Sequence, residues 1–471
     1  MKHNIKRLGY LLLCSFIVLI VYLTYLIMQQ GEALATHPQN RRMAAKEAEI
    51  LRGTIYDHKG VVLAETKWVG ERGQRVYLKD DNVAPFAHLV GFTSERYGSS
   101  GLEATYSREL LGLTDADVLE NFMDKLFNRR PQGNDLLLTL DAAVQKTAQR
   151  ALKGKRGAVV AIDPATGAIL AMVSSPTYDT NAITEQKVWE MLATDEKNAP
   201  LLNRATQGAY PPGSVIKLVT GAGILAHHTP ESFECPGYLM VDGQKLVDNR
   251  AHGEVDLIEA LAVSCNTFFA QEGLKLGWPG FIKGAEQFGL TSSPDIGISI
   301  RRGTLATESR QNKSQLAESS IGQGDTLVSP LHMALACSAI ANQGVIMKPY
   351  LVNEVRKPDG KQISTTKISP WLTATSPEIA EVITQGMLAA VERGTAGNAA
   401  IKGVKVAGKT GTAETKTEQD PNSLPHSWFV GFAPAEQPKV VVAVIVEKSG
   451  AGSAVAAPIA RQVMAAALAG K

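Results

Sequence analysis

The chain has 471 residues, enough for two or three domains with a sizeable core. Its 48 basic residues nearly cancel its 46 acidic ones, and no long run of one sign appears, which argues against a nucleic-acid surface. Gly-rich phosphate loops are absent, no cofactor is called for, and four cysteines without a Cys-x-x-Cys pair argue against a structural zinc site.

Lys2, Lys6 and Arg7 precede an uncharged apolar run over residues 8–28. A bilayer-spanning helix needs about 20 such residues. Tyr10, Tyr22 and Tyr25 lie toward the ends of the run, and the positive charge before it predicts a cytoplasmic tail over residues 1–7. A cleaved signal peptide is the rival reading, because Ala33-Leu34-Ala35 has the look of a cleavage site. The length of the apolar run favours a retained single-pass anchor in the cell membrane, with the rest of the chain outside the cytoplasm.

Residues 29–152 read as a stalk and a pedestal. Arg41 to Leu51 is polar and alanine-rich, as a helical stalk would be. Arg52 to Ala64 predicts a β-hairpin turning at Asp57 to Gly60, with no chemistry of its own. Tyr106 to Gly112 suits a short helix, and Phe122 to Gly133 reads as exposed. Leu136 to Leu140 is a short strand, after which Asp141 caps a helix over Ala142 to Leu152.

From residue 153 the character changes. Ala158 to Asp163 and Ala168 to Ser174 form strands around a turn, apolar enough to be covered on both faces. Helices are expected near Lys187 to Thr194, Val215 to His227, Leu257 to Ala262, Phe268 to Leu276, Pro330 to Asn342, Glu378 to Arg393 and Pro458 to Leu468. Three late strands cover Val404 to Thr412, Ser427 to Ala433 and Val440 to Glu447. The order predicts an α+β domain, one antiparallel sheet flanked by helices, over residues 153–471.

The candidate chemistry begins at Tyr210-Pro211-Pro212-Gly213-Ser214-Val215-Ile216-Lys217, a turn running into a helix start. Ser214 and Lys217 are three apart and share a helix face. A serine hydroxyl needs a base, and a lysine in a dry pocket near other cations has its pKa lowered enough to serve. Ser-x-x-Lys alone is weak: Ser364-Thr365-Thr366-Lys367 repeats it in a polar stretch read as a surface loop. The first copy is followed in order by Ser264-Cys265-Asn266 and Lys409-Thr410-Gly411-Thr412. Together they match the signature of class A β-lactamases and penicillin-binding proteins, with Cys265 where Asp is usual.

The chain resembles the class B penicillin-binding proteins over nearly its whole length. Arg52-Gly53-Thr54-Ile55-Tyr56-Asp57 and Gly101-Leu102-Glu103 resemble the family's pedestal blocks. Asn203-Arg204-Ala205 resembles its approach to the nucleophile, and Ile321-Gly322-Gln323-Gly324 with Ser329-Pro330 a stretch beside the site. The resemblance implies a penicillin-binding, serine β-lactamase-like transpeptidase domain. It implies a peptidoglycan D,D-transpeptidase that cross-links stem peptides through a serine acyl-enzyme and is trapped by β-lactam antibiotics. Ser214 would be the nucleophile and Lys217 the base. Ser264 would relay a proton to the leaving amine, and Asn266 would hold substrate and Lys217. Lys409 would lower the pKa of Lys217 and attract the substrate carboxylate. Gly411 would let substrate approach the strand. Thr412 N–H would join that of Ser214 in an oxyanion hole, and the Thr410 and Thr412 hydroxyls would bind the terminal carboxylate. Gln323 and Gly324 would shape the cleft. Cys235 and Cys265 form either a disulfide or two separate thiols, Cys337 is expected buried and inert, and His252 and His426 are expected structural or on the rim. A polytopic membrane glycan polymerase is the implied partner. The rivals are a D,D-carboxypeptidase or β-lactamase on the same scaffold, and a membrane-anchored scaffold or sensor.

Overall fold

The computed structural model describes residues 2–35, 50–70, 72–80, 84–114, 117, 123, 126–127, 130–306, 308–310, 312–415, 420 and 422–470. Most of the stalk and part of the stretch from Phe122 to Gly133 lie outside the described residues. The N-terminal helix runs Lys2–Ala35, and Lys6–Leu26 within it is long and apolar enough to cross a membrane.

The main domain is built on a five-stranded antiparallel sheet. Its order is Ala407–Ala413, His426–Ala433, Val440–Val446, Gly157–Ile162, Ile169–Ser175. Every residue of Val440–Val446 is buried. Successive strand side chains point to opposite faces, and the sequence uses this. Val441, Ala443 and Ile445 enter one core with Leu331 and Leu335 of the helix Pro330–Ala341. Val440, Val442, Val444 and Val446 enter a second core with Ile459 and Val463 of Ala456–Ala469 and Val144 and Ala148 of Ala142–Ala151. The sheet is thus sandwiched by helices, as the run of late strands and closing helix predicts. Each fully buried valine contributes about 1.5–3 kcal/mol. The alternation therefore fixes register as well as burial.

Asp141 caps its helix by accepting from the Ala143 and Val144 amides, as expected. The hairpin at Arg52 to Ala64 also forms, pairing Ile55–Tyr56 with Val62–Val69, and Arg72–Tyr77 adds a third strand. The pedestal sheet is larger than the N-terminal stretch suggests. Asp135–Leu138 pairs with Val352–Arg356, and Gln362–Thr365 lies at the edge of the same six-stranded sheet. The second Ser-x-x-Lys therefore starts on an exposed edge strand instead of a loop.

The family-like pedestal blocks meet at one buried carboxylate. Arg52 Nε donates to Glu103 Oε2 at 2.6 Å and Arg75 Nε to Glu103 Oε1 at 2.7 Å. The two guanidiniums outweigh the burial of Glu103 and hold its pKa below the usual carboxylate value. Arg52 is thus part of a charge-paired core, which the plain hairpin reading of the stretch did not anticipate.

Candidate active site

Pro212 and Gly213 lead into a 3-10 turn, Gly213–Ile216, which continues as the helix Lys217–His227. Gly213 has φ +56, and a Cβ there would lie 2.8 Å from Thr412 O. The turn is thereby packed onto the edge strand that carries Lys409. Trp428, fully buried on the neighbouring strand, donates from Nε1 to Pro211 O at 3.0 Å. Behind it, Tyr210 OH donates to Glu447 Oε1 at 2.7 Å, and Arg204 and Arg156 pair with the same carboxylate. This second charge-paired core braces the turn from below.

Ser264 sits between two helices, as the i, i+2 spacing of Ser264 and Asn266 requires. It ends Leu257–Val263 in a left-handed conformation (φ 62), and Asn266 begins Asn266–Gln287. Asp248 holds that loop: its Oδ2 accepts from the amides of Asn266 (2.7 Å) and Thr267 (3.0 Å). The long helix bends at Gly277 (φ 72, ψ 166), past the expected end at Leu276.

The three motifs converge. Lys217 Nζ donates to Asn266 Oδ1 at 2.7 Å and to Ser264 O at 2.8 Å, and lies 3.4 Å from Ser264 Oγ. Lys409 Nζ donates to Ser264 Oγ at 2.7 Å. One serine hydroxyl therefore stands between two fully buried amines. Ser214, Ser264, Asn266, Gln323, Gly324, Thr410 and Thr412 all line one cleft of about 820 Å³. Gln323 Nε2 reaches Thr412 O at 3.5 Å, and Thr410 Oγ1 donates to Thr395 Oγ1 at 2.9 Å. Gly322 and Gly324 have positive φ in the turn after the helix Lys313–Ser320, and that turn forms the cleft wall.

The pKa of Lys217 is lowered to about 8, and burial is the dominant cause; Asp248 and Cys265 pull the other way. The expected cause was Lys409. Instead, burial and then Lys217 hold Lys409 well below its ordinary value. A neutral amine has two N–H donors and one lone pair. The two short bonds of Lys217 consume both donors and leave the lone pair free to take a proton.

Gly411 also acts differently from expectation. A Cβ there would meet Trp428 Cβ at 2.9 Å, Val215 Cγ1 at 3.1 Å and Pro212 O at 3.2 Å. A side chain there would crowd the Pro212–Val215 turn and Trp428, so the close packing of the strand on that turn calls for glycine. Cys235 and Cys265 are buried free thiols, so the disulfide alternative is not formed. Cys337 is buried on its helix, and burial raises its pKa. His426 stacks edge-on against Tyr210 and is partly buried. His252, expected to be structural or on the rim, lies with Asp248 and the two thiols; the four ligand-type atoms are within 4.8 Å of one another. The four residues come from separate segments, so no short sequence spacing marks the group. Asp248, Glu447, Arg204, Trp428 and Thr395 were missed as site residues. Only Arg204 carried a signal, its place in Asn203-Arg204-Ala205 in the approach to Ser214.

Two buried lysines meeting on Ser264, with Ser214 lining the same cleft beside an edge strand, form an arrangement suited to active-serine acyl transfer of the penicillin-recognising kind. Comparison with known proteins agrees. The family described as penicillin binding protein transpeptidase domain matches residues 157–465, and penicillin binding protein A dimerisation domain matches 52–136. The chain is 36% identical to peptidoglycan D,D-transpeptidase PbpA of Mycolicibacterium smegmatis, over 99% of each chain. It is similar to the structure of penicillin-binding protein A from M. tuberculosis in a ceftriaxone acyl-enzyme complex, with TM-score 0.84 and 35% identity, covering 90% of this chain and 100% of that one. A D,D-transpeptidase domain from Eggerthella lenta gives TM-score 0.80 at 33% identity, covering 90% and 99%. The chain belongs to the penicillin-binding protein transpeptidase family.

Proposed function

We propose that this chain is a peptidoglycan D,D-transpeptidase working through an acyl-enzyme on Ser214. The observation that carries the reading is the convergence of Lys217 and Lys409 on Ser264, with Asn266 fixing Lys217. Neutral Lys217 takes the Ser214 Oγ proton as Oγ attacks the carbonyl carbon between two terminal D-alanines. The C–N bond breaks, and Ser264, hydrogen-bonded to Lys409, gives its proton to the leaving D-alanine amine and regains one from protonated Lys217, 3.4 Å from its Oγ. An acceptor amine from a second stem peptide then attacks the acyl carbon. Its surplus proton leaves by the same route, and Ser214 is protonated again. The amides of Ser214 and Thr412 stabilise the oxyanion. The close packing of Gly213 on Thr412 supports this pairing. Thr410 and Thr412 receive the terminal carboxylate, which Lys409 attracts. β-Lactams acylate the same oxygen.

The apolar helix Lys6–Leu26 anchors the chain, its basic N-terminal flank in the cytoplasm and the catalytic domain outside. A polytopic membrane glycan polymerase is the partner that would supply uncross-linked strands. The test is labelling with a fluorescent penicillin. The full chain should carry one stable label, and Ser214→Ala none. Label retained in the variant would overturn the nucleophile. Label lost within seconds by hydrolysis would point to a β-lactamase.

A further inference from the structure

The cleft that holds Ser214 carries charge on its walls that the acylation of Ser214 does not use. Two carboxylates line it, Glu318 and Glu414. Glu318 stands on the last turn of Lys313–Ser320, and its carbonyl accepts from the Gln323 amide at 2.9 Å. Gln323 Nε2 in turn reaches Thr412 O. Gly324 leaves the Glu318 carboxylate uncovered: a Cβ there would lie 3.3 Å from Glu318 Oε2. Glu414 follows Thr412 by two positions. Side chains two apart on a strand share a face, and Thr410, Thr412 and Glu414 all line the cleft. The two carboxylates therefore flank the Gln323–Thr412 contact, one from the helix wall and one from the end of the edge strand.

Neither is neutralised from within the chain. Among the described residues no ion pair or side-chain hydrogen bond engages Glu318 or Glu414. Asp325, which acts on Glu318, is itself paired with Arg310 at 2.8 Å. Burial and then Asp325 raise the Glu318 pKa, as happens to a carboxylate short of a cation. The cations of the cleft are turned elsewhere. Lys217 and Lys409 are buried and bonded to Ser264, and Lys245 lies over the Tyr238 ring at 4.4 Å. The walls thus offer negative charge to whatever enters once Ser214 is acylated. The donor peptide ends in a carboxylate, which these walls repel. The acceptor brings an amine, which in neutral water is mostly an ammonium.

We propose that Glu318 and Glu414 bind the ammonium group of the acceptor peptide and so select a cationic acceptor over a neutral nucleophile. This rests on the transpeptidase reading above. The carboxylates accept N–H bonds from R–NH₃⁺. The ammonium then releases one proton to solvent through the open mouth of the cleft. The neutral amine forms the new C–N bond as the ester C–O bond to Ser214 breaks, and nothing is oxidised or reduced. No covalent bond changes on either glutamate, so their contribution is to binding, and its loss falls on the KM for the acceptor and not on kcat.

The test uses the full chain in detergent with an amine-free D-alanyl thioester as donor. Two acceptors compete with water for the acyl-enzyme at pH 7: D-alaninamide, mostly protonated, and hydroxylamine, mostly neutral. In Glu318→Gln/Glu414→Gln the KM for D-alaninamide should rise about tenfold or more, with kcat within about twofold of the unaltered chain. The KM for hydroxylamine should stay within about twofold. A second arm needs no variant: raising NaCl from about 0.05 to 0.5 M should raise the KM for D-alaninamide several-fold and leave that for hydroxylamine in place. The proposal is overturned if the D-alaninamide KM is unmoved in the variant and by salt. It is also overturned if both acceptors weaken alike, which would mean that the glutamates only shape the wall. Slower acylation of the variant by an amine-bearing donor, but not by the amine-free one, would assign the carboxylates to the donor and overturn it as well. No transfer to either acceptor in the unaltered chain would overturn the transpeptidase reading together with this one, whereas the other outcomes leave that reading standing.

Discussion

If Lys217 is the base, its proton must be gone before Ser214 can be acylated, and the rate of acylation should follow that titration. With a pKa lowered to about 8, roughly a tenth of the amine is neutral at pH 7 and roughly nine tenths at pH 9. The second-order rate constant for penicillin acylation should therefore rise roughly tenfold between those values and flatten above them. Lys217→Met removes the acceptor: acylation should fall about 10²- to 10⁴-fold and the rise with pH should vanish. Stability is a poorer readout. The fall from 10.5 to about 8 corresponds to about 3 kcal/mol against the folded, charged state. Because the folded pKa lies below the unfolded one and the group is a base, that penalty is complete below about pH 8 and fades as pH rises through 10.5. Methionine relieves it but strands Ser264 O and Asn266 Oδ1, at about 1–3 kcal/mol each. The two effects nearly cancel, so melting temperature should hardly move. Stopped-flow quenching with a fluorescent penicillin across pH 6–10 is the assay. A flat profile in the unaltered chain, or a Lys217→Met rate within tenfold of it, would refute the assignment.

Glu103→Gln leaves Arg52 and Arg75 buried around a neutral amide and should cost about 3–5 kcal/mol in urea unfolding. The contribution of the carboxylate is present above its unfolded pKa near 4.5 and is lost as pH falls through the lower folded value, so the variant's deficit should shrink in acid. Gly411→Ala drives a methyl into Trp428, Val215 and the Pro212 carbonyl; a loss of about 1–3 kcal/mol and at least tenfold slower acylation are expected from the same two assays. Tyr210→Phe removes a 2.7 Å bond to a charged acceptor and should cost about 1.5–3 kcal/mol, measured by thermal unfolding.

What was legible in the sequence is what short-range rules govern. Ala158 to Asp163 announces a strand covered on both faces because its apolar residues run without interruption, and Gly157–Ile162 is buried throughout. Asp141 announces a helix start because a carboxylate ahead of an amphipathic segment accepts its free amides. Ser214 and Lys217 were found because their partners stood in order along the chain. What was not legible is what distant segments do when they meet. Asp248 sits in a polar hairpin, and nothing in Val247-Asp248-Asn249 shows that its carboxylate will cap a helix eighteen residues on. Glu447 pairs with Arg204 across 243 positions. Val352–Arg356 joins the pedestal only because Asp135–Leu138 offers it an edge. Gly411 is expected from the sequence to open the strand to substrate, whereas the contacts a Cβ would meet there come from Trp428, Val215 and Pro212, which no local pattern reveals.

The three segments of the proposed site are not held equally. Lys409 is fixed by a sheet register running from Ala407↔Phe432 to Ala413↔His426, with both faces of the next strands buried. Lys217 is fixed by a helix whose first turn is entirely buried. Either could shift only by disrupting a core. Ser264 and Asn266 lie on a two-helix junction in which Ser264 itself occupies a left-handed conformation, costing of order 1 kcal/mol for a residue other than glycine. Cys265 is buried beneath that junction, but Ser264 and Asn266 themselves are placed by polar bonds: two amides on Asp248, two acceptors on Lys217 and the Ser264 hydroxyl on Lys409. Its geometry is therefore the adjustable part of the site. Loss of the Asp248 carboxylate should lower acylation far more than it lowers the melting temperature. In Asp248→Asn the central sheet is untouched, while the two amides face a weaker acceptor and Lys217 loses the charge that raises its pKa. The acylation profile should shift to lower pH even as its plateau falls. A plateau that fell with the midpoint unmoved would mean that Asp248 acts only on the loop and not on the charge of Lys217.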